Sequence, residues 1–503
     1  MRKLLLATES RPWSGQWSVI GWSTAASIGT VSLLCLAAGL IDLTSTGSVT
    51  ARLLLLGGVG GFFSALLAAN VKHPVRISKA DIWLGTTIGY LLGIFFLTFV
   101  FIVTGVSNSF DDAIFEATAG LTTTAFSVFD ATRMDRGVLF LRSASQWLGG
   151  FAALVIAIVL IPFYGSGGEF ADKSTRDERV PLAPNQRSAL KNVLAIYCLL
   201  CLALWVAYSW TGIGVFDGLL MAFSTVSTGG YVASKEVIST PAVQWVAIVG
   251  MLFAGTSIVI IWRLFVGHGR GLLQSKQLRS YAVLVFLATV LFLLWTDGFH
   301  GENIRYGLFT VISAITTTGF SVNSTVNWSF GVTGLLLLLV AIGPMTGSTG
   351  GGFQILRLRL LFSIAVRELV RQIHPRAIMR VRVGERVANE ETIRLVTVVQ
   401  FVFVAVLFCT ATMVAVLGVN VLESLSASIH ALATAGPVRG SQGEIVDISN
   451  WSRSARLSLL PAMIFGRLYI YPVAVAFGIA ITWLRDSLRL RRRWRRWRAK
   501  ALL

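Results

Sequence analysis

The 503-residue chain is 54% apolar and only 13% charged, with a mean hydropathy of +0.72. A soluble protein keeps about a quarter of its residues charged, and here the apolar residues gather in runs of roughly 20, the length that crosses a hydrocarbon core of about 30 Å. This excludes a soluble domain and predicts a multi-pass membrane protein, so the net charge of +19 is read by where it falls rather than by its sum.

The first residues, through Pro12, hold too short an apolar stretch for a cleavable signal peptide. Apolar spans then fall near 18–41, 52–70, 82–104, 145–163, 191–213, 242–266, 280–296, 331–361, 395–418 and 458–484. Ten crossings return the chain to its starting side, and both termini are expected in the cytoplasm. The segments 1–17, 71–81, 164–191, 263–281, 357–394 and 485–503 then face inward and hold 33 of the 43 Lys and Arg, as the positive-inside rule requires. The C-terminal run from Arg489 to Arg498, with Trp494 and Trp497, suits anionic lipid headgroups at about 1 kcal/mol per basic residue rather than nucleic acid. Cys35, Cys198, Cys201 and Cys409 all lie in apolar spans, and the CxxC of Cys198 and Cys201 has no nearby His or further Cys to make a metal site.

Between paired spans lie shorter segments, and these repeat. The chain reads DAIFEATAGLTTTAF from Asp112, DGLLMAFSTVSTGGY from Asp217, YGLFTVISAITTTGF from Tyr306 and ESLSASIHALATAGP from Glu423. Aligned without gaps, each is a run of helix-compatible residues followed by a threonine-led ending. The endings are Thr123-Thr124-Ala125-Phe126, Thr228-Gly229-Gly230-Tyr231, Thr317-Thr318-Gly319-Phe320 and Thr434-Ala435-Gly436-Pro437. The offsets of 105, 89 and 117 residues are too irregular for a solenoid. The predicted unit is helix, half-helix, extended loop, helix, used four times.

Non-helical backbone at membrane depth is tolerated only inside protein or along a watery cavity. A half-helix that stops there presents the negative end of its dipole, which favours a cation. The extended segment after it can turn carbonyl oxygens inward to replace an ion's hydration shell, with Thr hydroxyls adding further oxygens. Glycine is expected in these endings because inward carbonyls need backbone angles, including positive φ, that a Cβ disfavours. Four such loops form a ring for a monovalent cation within one chain.

With Gln146-Trp147-Leu148-Gly149-Gly150, Gly347-Ser348-Thr349-Gly350-Gly351-Gly352 and Phe465-Gly466-Arg467-Leu468, the four endings make a specific set. The chain resembles the membrane subunit of the TrkH/KtrB/HKT superfamily of potassium transporters, nearest the TrkH branch, over nearly its whole length. The resemblance implies an all-α polytopic membrane fold with two N-terminal helices (1–78) before four pseudo-fourfold helix–pore loop–helix repeats. Those repeats are 79–188, 189–278, 279–392 and 393–484, with a basic tail at 485–503. It implies gated, channel-like potassium uptake across the cell membrane, with K+ held by Thr123, Thr124, Ala125, Thr228, Gly229, Gly230, Thr317, Thr318, Gly319, Thr434, Ala435 and Gly436. It also implies a homodimer resting on a cytoplasmic ring of nucleotide-binding regulatory subunits.

Within that resemblance, Gly347, Ser348, Thr349, Gly350, Gly351 and Gly352 form an intramembrane gating loop. Read from the residues alone, the competing reading is a glycine-rich kink with close packing, while consecutive glycines lower the cost of changing backbone conformation and favour the hinge. Arg467 is costly inside an apolar span. The resemblance puts it in the pore beside the loop, while snorkelling to an interface is the competing reading. Asp111, Asp112 and Glu116 either concentrate cations at the outer mouth or, for the two aspartates, cap a helix. His430 reads as packing. No carboxylate sits mid-span as a proton relay, and HExxH, GxSxG and intramembrane acid pairs are absent from the sequence, so no enzyme is expected.

Two positions depart from the family pattern. Ala125 stands where the first loop has glycine; a serine there accompanies sodium permeation in plant members, so Na+ permeation or coupling is the alternative function. Tyr469 stands where the GRLE-type motif has its carboxylate, which puts the arginine's usual pairing in question. The nine basic residues of 357–394 either dock a regulatory partner or simply obey the charge rule.

Overall fold

The structure, a computed structural model, describes residues 14–45, 47–71, 78–160, 186–266, 275–296, 301–322, 328–374, 381–383, 386–388, 390–469, 472–473 and 476–478. The basic C-terminal tail lies outside the described residues. Among the described residues the regular structure is helical apart from a two-residue-per-strand hairpin pairing Arg382–Val383 with Arg386–Val387 and an isolated bridge between Arg439 and Ile445.

Two helices come first, α1 (Ser14–Leu43) and α2 (Thr50–Asn70), packed against each other and, through α1, against α3 (Lys79–Val103). Ser78 and Asp81 form a reciprocal capping box that starts α3 and satisfies two backbone N–H groups. Each later unit then places a short helix between two longer elements. The first runs α3, α4 (Phe110–Thr122), α5 (Arg136–Leu154), the last continued by one wide turn, Val155–Leu160. The second runs α6 (Gln186–Trp210), α7 (Val215–Val226), then α8 (Pro241–Ala254) and α9 (Ile258–Phe265). The third has α10 (Lys276–Leu294), α11 (Gly301–Ile315), α12 (Phe330–Ile342) and α13 (Ile355–Ile373). The fourth has α14 (Glu390–Val416), α15 (Val421–Leu432) and α16 (Leu460–Arg467).

Among the described residues, seven unbroken helices are long and apolar enough to cross a membrane. Their outward faces carry bare apolar side chains such as Phe62, Phe63 and Phe401, 57–73% exposed, which only lipid would cover favourably. The expected span 242–266 is not one rod. It bends by 99° between α8 and α9, at the small residues Gly255, Thr256 and Ser257. The expected span 331–361 is likewise two helices, because residues 343–354 leave helical geometry. Part of the presumed cytoplasmic connection 357–394 is helical as well, since α13 runs on to Ile373. The fourth span begins at Arg136 rather than near 145, since Arg142, Ser143 and Ser145 in its first half are buried in protein and not set against lipid.

Candidate functional site

The four half-helices α4, α7, α11 and α15 share their electrostatics. Each has an acid in its first turn: Asp111 and Asp112, Asp217, Glu302 and Glu423. Acids there balance the positive end of the helix dipole, and the negative C-terminal ends stay bare of Lys and Arg. Only α15 carries a titratable group in its last turn, His430. That residue is buried, its Nδ1 2.7 Å from the Ser426 carbonyl oxygen, as expected of packing.

Their C-termini share one pattern of backbone hydrogen bonds. The N–H groups of Thr123, Thr228, Thr317 and Thr434 each bond the carbonyl three residues back, at 3.1–3.2 Å. Those of Thr124, Gly229, Thr318 and Ala435 bond the carbonyl five residues back, at 2.8–3.1 Å. This is the Schellman ending, which normally puts glycine in the left-handed position. Here the left-handed residue is a threonine all four times, with φ of 55°, 53°, 58° and 49°. A β-branched residue at positive φ is a genuine outlier, and such backbone outliers cluster at functional sites. The expectation that glycine supplies the positive φ holds in two loops only, while threonine supplies it in every loop. Gly230 and Gly319 add a second left-handed residue in loops two and three, and Ala125 and Gly436 do not.

The extended segments close into a ring. A Cβ on Gly230 would meet the Thr318 carbonyl of the third loop and lie 2.5 Å from the Ala125 methyl of the first. One on Gly319 would strike Gly436 of the fourth loop, and one on Gly436 would lie 2.7 Å from the Ala125 methyl. Each loop thus touches the next, and the fourth returns to the first. All four threonines are buried. Among the described residues, the hydroxyls of Thr123 and Thr434 have no hydrogen-bond partner, which leaves their oxygens for a ligand. Ala125 sits at negative φ, so its methyl imposes no left-handed strain.

The Gly347–Gly352 stretch lies directly against this ring. Gly351 N–H donates to Thr317 Oγ1 at 3.0 Å. A Cβ on Gly351 would collide with the Ala433 carbonyl and lie 2.7 Å from Thr434 Oγ1, so only glycine allows this approach. The loop is also fastened to the break in the second unit. Met345 N–H donates to Gly255 C=O (3.1 Å), Ile258 N–H to Gly347 C=O (2.9 Å) and Thr349 Oγ1 to Ala254 C=O (3.2 Å). Loop and helix break satisfy each other's orphaned backbone groups, which explains why both interruptions exist at membrane depth.

Arg467 is 3% exposed at the end of α16. It donates to Thr349 C=O (Nη1, 2.8 Å) and to Gly149 C=O (Nε, 3.3 Å), bridging the fourth unit, the loop and the first unit. Snorkelling to an interface is ruled out by this burial. The question over Tyr469 is answered too: the arginine is held by main-chain carbonyls, and the Tyr469 ring instead lies under the Arg357 guanidinium at 5.5 Å.

Two expectations at the outer mouth fail. Glu116 is fully buried and paired with Arg142 (2.5 Å to Nη2, 2.8 Å to Nε), and it also accepts from Ser127 Oγ and the Val128 N–H. It cannot steer ions from solution. Asp111 and Asp112 are not caps, since the capping position is Ser109, and Asp112 instead pairs with Arg456 at 2.7 Å. Sequence reasoning missed the Glu116–Arg142 pair, although opposite charges in two segments otherwise free of mid-segment charge were a usable signal. It also missed the contacts of Gln146, whose amide reaches the second loop from α5.

A helical bundle with four inward half-helices of one chain around a closed ring of threonine-led loops defines a polytopic membrane transport protein of the pore-loop class. The chain belongs to the TrkH family, described as Cation transport protein, whose pattern matches residues 93–300 and 297–482. The Trk system potassium uptake protein TrkH of Escherichia coli K12 is 27% identical over 440 residues, covering 83% of this chain and 90% of that protein. TrkG of the same strain, also a Trk system potassium uptake protein, is 29% identical over 431 residues, covering 80% and 86%. The crystal structure of the potassium transporter TrkH from Vibrio parahaemolyticus superposes with a TM-score of 0.83 over 92% of this chain and 98% of that one. At 23% identity it establishes the shared fold. The resemblance drawn from the motifs thus holds at the level of family, and that family is one of transporters rather than enzymes.

Proposed function

We propose that the protein takes up potassium across the cell membrane, through a filter formed by the four threonine-led loops and gated by the Gly347–Gly352 loop with Arg467. The observation that carries this reading is the fourfold Schellman ending with a left-handed threonine, a costly geometry held in one register at four bare negative helix ends. The relatives named as potassium uptake proteins support the choice of ion. Thr123, Thr228, Thr317 and Thr434 supply hydroxyl and carbonyl oxygens, and the two residues after each threonine supply further carbonyls, except that the Gly229 C=O is taken by the Gln146 amide, so it does not face the ion as the resemblance implied. The loop blocks the inner side because Gly350 and Gly351 lie against the ring's floor, and the Arg467 charge repels a cation there. Flux through purified protein in liposomes, with potassium and sodium compared, is the test. No flux of either ion, with or without a regulatory partner, defeats the reading.

A second reading, sodium permeation, is favoured by one observation. The Ala125 methyl occupies the ring between Gly230 and Gly436, where neither neighbour has a Cβ. The same flux assay decides it, since equal potassium and sodium rates would make the pore unselective. For assembly we propose a homodimer over a cytoplasmic ring of nucleotide-binding subunits with both termini inside, which cross-linking and co-purification with candidate ring subunits would test.

A further inference from the structure

We propose that Gln146 is a positioning residue for the filter, and that it sets ion discrimination by fixing the peptide planes on both sides of Gly230. This inference rests on the pore reading above. Gln146 belongs to α5 in the first unit, yet everything its amide touches lies in the second. It is fully buried. Nε2 donates to Gly229 C=O at 2.6 Å, while Oε1 accepts from the Tyr231 N–H and from Ser224 Oγ, both at 3.2 Å. One side chain therefore clamps the last turn of α7 and the extended segment after it.

The geometry has a direct consequence for the carbonyls. Gly230 is left-handed, with φ of 78°, so the peptides before and after it are the ones whose orientation is least fixed by local sterics. A trans peptide is planar, with its C=O and N–H pointing opposite ways. Holding the Tyr231 N–H toward α5 turns the Gly230 C=O away from α5, to the face where the neighbouring loops converge. Holding the Gly229 C=O toward α5 withdraws that oxygen from the same face. Gln146 thus selects which oxygens of the second loop meet an ion. Its two ends are used as donor and acceptor, so the roles are fixed by chemistry and not only by shape.

Gln146→Glu keeps the shape and replaces the donor with an acceptor facing the Gly229 carbonyl, while Gln146→Met keeps the length and removes both roles. In liposomes the potassium-to-sodium flux ratio of each variant is expected to fall about tenfold, the scale of one buried hydrogen bond, while ions still pass. A residue that only packs would lower both fluxes and leave the ratio at the wild-type value, and that result in either variant overturns the proposal. If neither variant assembles in the membrane, Ser224→Ala decides, since it loosens Oε1 without emptying the site. A ratio lowered about twofold supports the clamp, and an unchanged ratio overturns it. Absence of flux from the wild-type protein in the same vesicles would overturn the pore reading and this inference together, whereas a wild-type ratio in a conducting variant overturns this inference alone.

Discussion

Arg467→Ala should release the Gly347–Gly352 loop from its seat beneath the threonine ring. Of the arginine's bonds, only the one to Thr349 C=O holds the loop, and its 2.8 Å length falls in the charge-assisted range. A hydrogen bond from a charged donor contributes about 1.5–3 kcal/mol. Taking about 2 kcal/mol, and tenfold for each 1.4 kcal/mol, the seated-to-released ratio should fall about thirtyfold. The readout is thiol labelling of Ser348→Cys, a position 1% exposed in the seated loop. The background would carry Cys198→Ala and Cys409→Ala, which remove the two exposed native thiols. Labelling should accelerate by that factor, and cation flux should rise with it. Arg467→Lys, which keeps the charge but not the planar fork, should release the loop partly while still opposing cation passage. Arg467→Gln should do the reverse. Unchanged labelling and unchanged flux in Arg467→Ala would refute both the tether and the charge barrier.

Gly351→Ala drives a methyl into the Ala433 carbonyl and should cost the seated loop about 1–3 kcal/mol of overpacking, seen as raised basal flux without loss of folded protein. Glu116→Ala leaves Arg142 buried and unpaired, so it should destabilise by about 3–5 kcal/mol, measured as a lowered Tm in detergent. Pairing it with Arg142→Met should recover much of that loss. Ala125→Gly takes a methyl out of the ring at a position of ordinary φ, and should raise the potassium-to-sodium flux ratio a few-fold. An unchanged ratio would mean that Ala125 has no part in selectivity.

The fold class and the four pore segments were legible in the sequence because both are local signals. A span needs only a run of apolar residues of membrane length, and a half-helix ending in Thr and Gly shows itself once it recurs in register. The arginine at 467 and the glycine loop stood out for the same reason, as local breaches of an apolar pattern.

What the sequence could not determine was who touches whom. Gln146 meets Gly229 across 83 residues, Arg467 meets Thr349 across 118 and Gly149 across 318. In each of these bonds the acceptor is a main-chain carbonyl, which every residue has and no residue type announces. For the same reason the left-handed threonines look like ordinary threonines, and Glu116 looks like a mouth carboxylate until Arg142 folds onto it. Apolar length and periodicity determined the membrane architecture. Only the packing of distant segments decided which carbonyls, charges and hydroxyls found partners and which did not.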